Sequence, residues 1–465
     1  MRFRYQIVLA TLLLVLTGFM AQMGFAQGQS PPKSKSQELT SILFENVQIF
    51  NGTSEKLSAP SNVLVVGNKI QTISTASIPT PAEGSVTRIN GKGRVLMPGL
   101  IDAHTHLFME TTEVDDLMAM ATSGSPELAF RQLQKNATAM LMRGFTSVRD
   151  MAGPVFELKK AIDSGKVVGP RIWPSGAMIS QTGGHGDFRK LEELPRTPTS
   201  KLSLAEQYGV GAIADGVDEV LRRTREQLMR GASQIKLAAG GGVASSYDPI
   251  DVSQYTEAEF KAAVDAAANW NTYVAVHAYT PTAIQTAIRA GVKSIEHGQL
   301  MDEKTAKLMA DKGIWLSIQP FLDDEDANPY PEGSTNRARQ LQVSQGTDTA
   351  YKLAKKYNLK TAWGTDTLYS AKKAARQGAQ LAKMVRWYTP AEVLRMATST
   401  NAELLALSGP RNPYPGKLGV VEEGALADLL LVNGNPLENI KLIENPAKNF
   451  IVIIKDGKVY KNLLS

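Results

Sequence analysis

Pro98-Gly99-Leu100-Ile101-Asp102-Ala103-His104-Thr105-His106 decides how this 465-residue chain is read. The Pro-Gly pair punctuates the chain, the apolar run over residues 100–104 predicts a strand, and two histidines close it. Successive strand side chains alternate between faces, so residues two apart point the same way. His104 and His106 therefore present both imidazoles to one face at the strand's end, a geometry that can hold one metal ion. Seven further strand-like runs follow, at 146–149, 171–177, 234–238, 273–277, 294–297, 315–319 and 361–364, separated by amphipathic helical stretches. Eight alternating units predict an α/β fold, a (β/α)8 TIM barrel over residues 98–415. Helix starts agree: Thr256 and Glu259 form a capping box, and Thr389-Pro390 with Glu392 adds proline at the first helical position. A doubly wound open sheet would carry a glycine-rich phosphate fingerprint after its first strand, and none follows Gly99.

Outside residues 98–415 the pattern changes. Between residues 43 and 96 short strands are separated by Asn51-Gly52 and Gly67-Asn68 turns. The C-terminus resumes that style, with an apolar run over 428–432, the turn Asn433-Gly434-Asn435-Pro436, and a strand at 450–455 leading into Asp456-Gly457. The two ends are expected to share a sheet in a small composite β-sandwich domain of residues 27–97 and 416–465. The first 26 residues read as an export signal, with Arg2 and Arg4, an apolar run over 7–20 and small residues up to Ala26. That run is shorter than the roughly 20 residues a helix needs to cross a bilayer, so the mature chain is expected to be periplasmic or secreted, without a stable membrane anchor.

Composition removes several chemistries. There is no cysteine, hence no disulfide framework, thiolate zinc site, iron–sulfur cluster or cysteine nucleophile. Any metal must be held by histidine, carboxylate or a modified side chain. The net charge of +6 is small for this length and no long basic run occurs, which argues against a nucleic-acid partner. The absence of a Gly-x-Ser-x-Gly elbow weakens a serine-hydrolase reading.

Four of the five histidines fall at predicted strand ends: His104 and His106 after the first, His277 after the fifth and His297 after the sixth, with Asp366 just past the eighth. A barrel brings all of these ends to one face. Lys236 lies inside the apolar fourth strand with inward parity, where a lysine is costly unless paired. An ion pair with an interior carboxylate is one reading; beside these histidines the better one is a carbamate, formed from the amine and carbon dioxide, whose two oxygens can bridge two cations. The irregular stretches 182–207 and 323–334 lie where barrel active-site loops belong, though either can be an ordinary surface loop.

Together with Gln234-Ile235-Lys236, Val276-His277-Ala278, Ser294-Ile295-Glu296-His297-Gly298 and Gly364-Thr365-Asp366, the opening stretch resembles the amidohydrolase superfamily. Within it, Thr182-Gly183-Gly184-His185-Gly186-Asp187 and Gly240-Gly241-Gly242-Val243-Ala244-Ser245 are similar to secreted imidazolonepropionase-like dipeptidases related to Xaa-Pro and Xaa-Arg/Lys dipeptidases. The resemblance implies two divalent ions, zinc, with His104, His106, carboxylated Lys236 and Asp366 around the first, and Lys236, His277 and His297 around the second. It further implies amide hydrolysis by metal-bound hydroxide, with Asp366 taking the proton and returning it to the departing amine. His185 is expected to contact the substrate carbonyl or oxyanion, and the Tyr247 hydroxyl a substrate carboxylate. Arg149 and Arg189 are further candidates for carboxylate pairing, with solvated or structural roles favoured for each.

The expected function is thus a metallo-dipeptidase or carboxypeptidase-like amidase releasing a C-terminal amino acid from a small-molecule or dipeptide substrate; a homo-oligomer is compatible with it. The alternatives are hydrolysis of N-acyl amino acids, of bulky ochratoxin-like amides or of cyclic amides such as imidazolonepropionate, and a non-catalytic metal-binding scaffold. Deamination is disfavoured because deaminases of this resemblance lack a bridging lysine, and Lys236 supplies one.

Overall fold

The short strands read near the N-terminus are β1 (Ser41–Ile49), β2 (Ser61–Val66), β3 (Lys69–Ser74), β4 (Val86–Asn90) and β5 (Val95–Pro98) in the computed structural model, which describes residues 40–80, 86–111, 126–197 and 199–464. The expected export signal lies outside these residues. Then come β6 (Leu100–Thr105), β7 (Phe145–Asp150), β8 (Arg171–Pro174), β9 (Met178–Ser180), β10 (Gly211–Ile213), β11 (Ile235–Ala238), β12 (Val274–Ala278), β13 (Ser294–His297), β14 (Trp315–Ile318) and β15 (Thr361–Trp363). The C-terminus adds β16 (Leu429–Val432), β17 (Phe450–Lys455) and β18 (Lys458–Asn462).

Both chain ends do share one sheet, ordered β18-β17-β16-β5-β1-β2-β3 with β4 on β1. The joint is antiparallel β5 against β16, where Met97 faces Leu430. Alternation explains why β16 is apolar at every position. Leu429 and Leu431 pack with Phe44, Val63, Val65 and Ile454 in a core of the sheet's own. Leu430 and Val432 turn the other way, into the large core that holds the parallel strands. The Asp456-Gly457 turn between β17 and β18 has both residues at positive φ, 54° and 68°, the conformation such a two-residue hairpin requires.

The remaining strands pair in parallel, β6-β7-β8 in one run and β10-β9-β11-β12-β13-β14-β15 in another. Contacts span both breaks between the runs. Ser233 donates its N–H to the Pro174 carbonyl at 2.8 Å, and Asp366 donates to the His104 carbonyl at 2.9 Å. The second approach is close enough that a Cβ on Gly364 would lie 2.5 Å from the His104 nitrogen. This arrangement is consistent with the predicted barrel of eight strands, with β9 and β10 as additions. The third predicted strand, 171–177, is shorter than expected: Pro174 ends it, Gly176 turns at φ 73°, and Met178 begins a separate strand. Thr256 and Thr389 accept from the backbone N–H of Glu259 and Glu392, forming both predicted capping boxes.

Candidate active site

Strand register brings the predicted metal ligands to one cavity of about 130 Å³, lined by His104, His106, His185, Lys236, His277, His297 and Asp366 among others. Ring centroids step across it, 5.2 Å from His104 to His106, 5.0 Å from His104 to His297, and 4.5 Å from His297 to His277. His185 arrives from the loop after β9 and stacks on His277 at 3.8 Å. The glycine run opposite makes room for it, since a Cβ on Gly242 would lie 2.0 Å from His185 Nδ1.

Each of the four strand-end histidines has one ring nitrogen tied to an acceptor. His104 Nδ1 lies 2.9 Å from the Glu296 carboxylate, His106 Nδ1 3.3 Å from the Ala152 carbonyl, His277 Nε2 3.1 Å from the Gly241 carbonyl, and His297 Nδ1 2.7 Å from Gln319 Oε1. The Gln319 amide is oriented by its own NH2, which donates to the Ser317 carbonyl. Where only one nitrogen of a neutral ring has an acceptor within hydrogen-bond reach, as in His104, His277 and His297, that nitrogen carries the hydrogen and the other is left with a bare lone pair. That is the tautomer a metal ligand needs. His106 has an acceptor at each nitrogen, the second being Asp366 at Nε2.

Two of the rings approach a carboxylate with the nitrogen opposite the tied one. Asp366 Oδ1 is 3.0 Å from His106 Nε2 and 3.5 Å from His104 Nε2, and Oδ2 is 4.0 Å from His297 Nδ1, the nitrogen that faces Gln319. His104 Nε2 is buried without a hydrogen-bond partner. Lone pairs crowded against an anion in a dry site repel unless a cation lies among them. Donor atoms of His104, His297 and Asp366 all lie within 4.8 Å of one another. The residues present therefore fit a divalent cation.

Burial, with the nearby Lys236 charge adding to it, pushes three imidazoles down, to about 4 for His104 and about 3 for His185 and His297, so these three are neutral at pH 7. For Asp366 burial acts upward, but His104, His106 and His297 hold it well below the usual carboxylate range. Lys236 is buried and pushed down to about 8, again by burial first. The interior carboxylate that an ion pair would use, Glu296, is taken by Arg149 and His104, and among the described residues Lys236 has no ion pair.

The histidine shifts carry a stability consequence for the metal-free protein. In the unfolded chain these rings titrate near 6.5, so between that value and about 3 to 4 the unfolded state binds more protons, and stability falls as pH falls. At pH 5 the loss is of order 2 kcal/mol for each of three rings. Buried Asp150, pushed up to about 7, acts in the opposite sense over that range and offsets about one of them. The urea midpoint of chelator-treated protein is expected to be lower at pH 5.0 than at pH 7.5. Equal midpoints would mean that the rings are not held neutral.

Strand parity, read from sequence, does not place His297. Glu296 and His297 are adjacent, yet both reach His104; the backbone leaves the extended conformation at His297, where φ is 80°, and again at Asp366, where φ is 51°. Glu296, Gln319 and Asp102 are functional neighbours that the sequence reading passed over. Asp102 accepts from Thr365 Oγ1 at 2.7 Å and from the His104 N–H at 3.0 Å, bracing the turn that carries Asp366. A carboxylate inside an apolar strand was the available signal for Asp102 and Glu296.

Tyr247 is not among the residues lining the cavity: its hydroxyl donates to the Arg189 carbonyl at 2.6 Å, tying two loops together. Arg189 pairs with Asp187 at 2.6 Å and Arg149 is buried against Glu296 at 2.7 Å, a structural role for each. Both irregular stretches border the cavity, the first through His185 and Phe188. Phe321, Leu322, Asp324 and Asp326 line it, and the acidic run is fastened across it, Asp324 and Asp326 each 2.6 Å from Lys383 and Glu325 2.8 Å from Arg376.

The sequence model of the amidohydrolase family matches residues 95–461. Ochratoxinase of Aspergillus niger is 36% identical over 412 residues, covering 86% of this chain and 82% of that protein. Among solved structures, a prolidase complexed with N-methylphosphonate-L-proline has a TM-score of 0.81 at 33% identity, over 91% of this chain and 100% of its own. A Xaa-Pro dipeptidase with methionine bound in the active site has a TM-score of 0.75 at 28% identity, over 91% of this chain and 100% of its own.

Proposed function

The chain belongs to the amidohydrolase family and is a hydrolase acting on C–N bonds, and on that premise we propose that it is a metallo-dipeptidase releasing the C-terminal amino acid of a dipeptide or N-acyl amino acid. The observation that carries this reading is the convergence on one cavity of His104, His106, His277, His297, Asp366 and a buried Lys236 without an ion pair among the described residues, with His104 and His106 directed at Asp366. His104, His106, Asp366 and carboxylated Lys236 would hold one divalent ion, and Lys236, His277 and His297 a second, zinc being the proposed metal. When bound, the ions supply positive charge that polarises an amide carbonyl and acidifies water.

The chain's own residues do the rest. Asp366 accepts the proton of the attacking water at its carboxylate and delivers it to the departing amine, from a position 3.0 Å from His106 Nε2 at the cavity wall. His185, at the cavity wall beside His277, donates to the substrate carbonyl oxygen as it gains charge. Lys236 is suited to carbamate formation, which needs a neutral amine: with its pKa near 8, roughly a tenth is neutral at pH 7, against about one in 3,000 for an ordinary lysine. Phe188, Phe321 and Leu322 form an apolar wall that accepts a bulky acyl group and keeps water away. The proposal takes residues 98–415 as a closed barrel with a composite domain built from the chain ends, and the mature chain as exported.

A second reading, hydrolysis of a bulky aromatic amide, is favoured by the identity to ochratoxinase and by the same apolar wall. One assay separates the two. Protein prepared with zinc and bicarbonate is expected to release free C-terminal amino acid from a dipeptide and N-acyl amino acid library, with turnover lost on chelation. Turnover confined to aromatic amides selects the second reading. Silence on both, with two metals bound, overturns both.

A further inference from the structure

Beneath the histidine cluster lies a second polar assembly that the proposed chemistry does not use. Glu296 and Arg149 are both fully buried. Arg149 Nη2 donates to both Glu296 oxygens, at 2.7 and 2.8 Å, and its remaining nitrogens donate to the Ala103 carbonyl at 2.6 Å and the Tyr273 hydroxyl at 3.1 Å. Ser294 donates to Glu296 Oε1 at 2.7 Å. The one remaining contact of the carboxylate is His104 Nδ1, at 2.9 Å from Oε2. Ion pairs at this depth are expensive, and replacing one by apolar side chains is often neutral or stabilising. A stability role alone does not account for it.

We infer that Glu296 is a positioning residue that fixes the tautomer of His104, and that Arg149 holds Glu296 ionised and in place for that purpose. A carboxylate only accepts and a guanidinium only donates. Glu296 therefore compels the hydrogen of His104 onto Nδ1 and leaves Nε2 bare toward Asp366, while Arg149 prevents Glu296 from turning away. His106 rests, on the side away from Asp366, on the Ala152 carbonyl, and His277 and His297 rest on the Gly241 carbonyl and the Gln319 amide, all neutral; His104 alone among these four has a second carboxylate, Glu296, behind it. It also has the ring nitrogen that is buried without a partner. A charged acceptor raises the electron density of the opposite nitrogen more than a neutral one does, so His104 is the strongest nitrogen donor of the cluster. This inference rests on the reading of the cavity as a metal centre, and its test has a part that does not.

Replacing Glu296 by Gln keeps the shape but gives one end of the side chain an NH2. Where that NH2 faces His104, Nδ1 becomes the acceptor and the hydrogen moves to Nε2. With only five histidines in the chain, nitrogen-15 shifts of metal-free protein resolve the tautomer of each. The wild type is expected to show His104 as Nδ1–H, and Glu296→Gln to show a substantial Nε2–H population confined to His104. Zinc affinity by chelator competition is expected to fall roughly 10–100-fold for one ion, leaving the other near the wild-type value. Should Glu296→Gln fail to fold with Arg149 unbalanced, the double variant Arg149→Met, Glu296→Gln removes the stranded charge and is read the same way. Asp428→Asn, which breaks the buried pair with Arg171 far from the cavity, controls for lost stability and is expected to leave the tautomer of His104 unchanged. An unchanged His104 tautomer in the Glu296 variants, with two ions bound at wild-type affinity, overturns the inference. A wild type that binds no zinc overturns the metal reading instead, and the tautomer then decides the role of Glu296 by itself.

Discussion

Asp366→Asn is expected to lower kcat on amide substrates by about 10³-fold or more while zinc remains bound, because one carboxylate serves as base in the attack and as acid in the departure of the amine. The substitution is well suited to isolating that role. Asn has the volume of Asp, and with Asp and His it is among the few side chains that readily occupy the left-handed conformation, so the φ of 51° at position 366 stays accessible. The Asp366 N–H can still donate to the His104 carbonyl. What is lost is an atom that can take a proton at neutral pH. Turnover and metal content measured on the same preparation decide the matter: kcat within tenfold of wild type, with metal bound, would remove Asp366 from proton transfer.

Lys236→Met is expected to abolish turnover by at least about 10³-fold and to reduce bound metal below two per chain, because it removes the bridging group and the negative charge a carbamate would contribute. The same change is expected to leave the metal-free protein equally stable or more so. Met follows the course of the lysine stem through the same apolar strand, and a buried amine with no ion pair costs free energy that a thioether does not. Stability rising while activity disappears is the signature that separates a functional lysine from a structural one. Metal-free and zinc-loaded wild type exposed to carbon-13 bicarbonate should show a carbamate resonance that the variant lacks. A variant with normal metal content and normal turnover would restore the plain reading of Lys236 as a core residue.

Much of this molecule could be read from the chain because its parallel strands are short, apolar and bounded by turn residues, and because four of its histidines sit at or just past their ends. The capping boxes at Thr256 and Thr389 were legible for the same reason, since the signal is local. The strands β9 and β10, three residues each, were not, because a periodicity of two cannot be recognised over so short a span. His297 shows a different limit. Alternation would have turned it away from Glu296, and only the left-handed turn at that residue gathers both around His104. The loop over residues 321–328 owes its place to partners at Arg376 and Lys383, some 50 residues on, and nothing local announces that pairing. For Tyr247, distance along the chain from Lys236 says nothing about where a loop side chain comes to rest; its hydroxyl donates to the Arg189 carbonyl.

The sheet that joins the two ends of the chain has a consequence in time. β5 is synthesised early but its partner β16 emerges roughly 330 residues later, about 15–65 s at ribosomal rates of 5–20 residues per second. Until then β5 is paired on one edge only, with β1, and the face of the large core that receives Leu430 and Val432 stays open. Contacts of such long sequence separation slow folding, since the loop between them must be ordered before they form. The last joint of the sheet, β5 against β16, thus closes only after nearly the whole chain is made, and for a protein proposed to leave the cell a late closing step lengthens the time in which the chain can still be passed through a narrow pore.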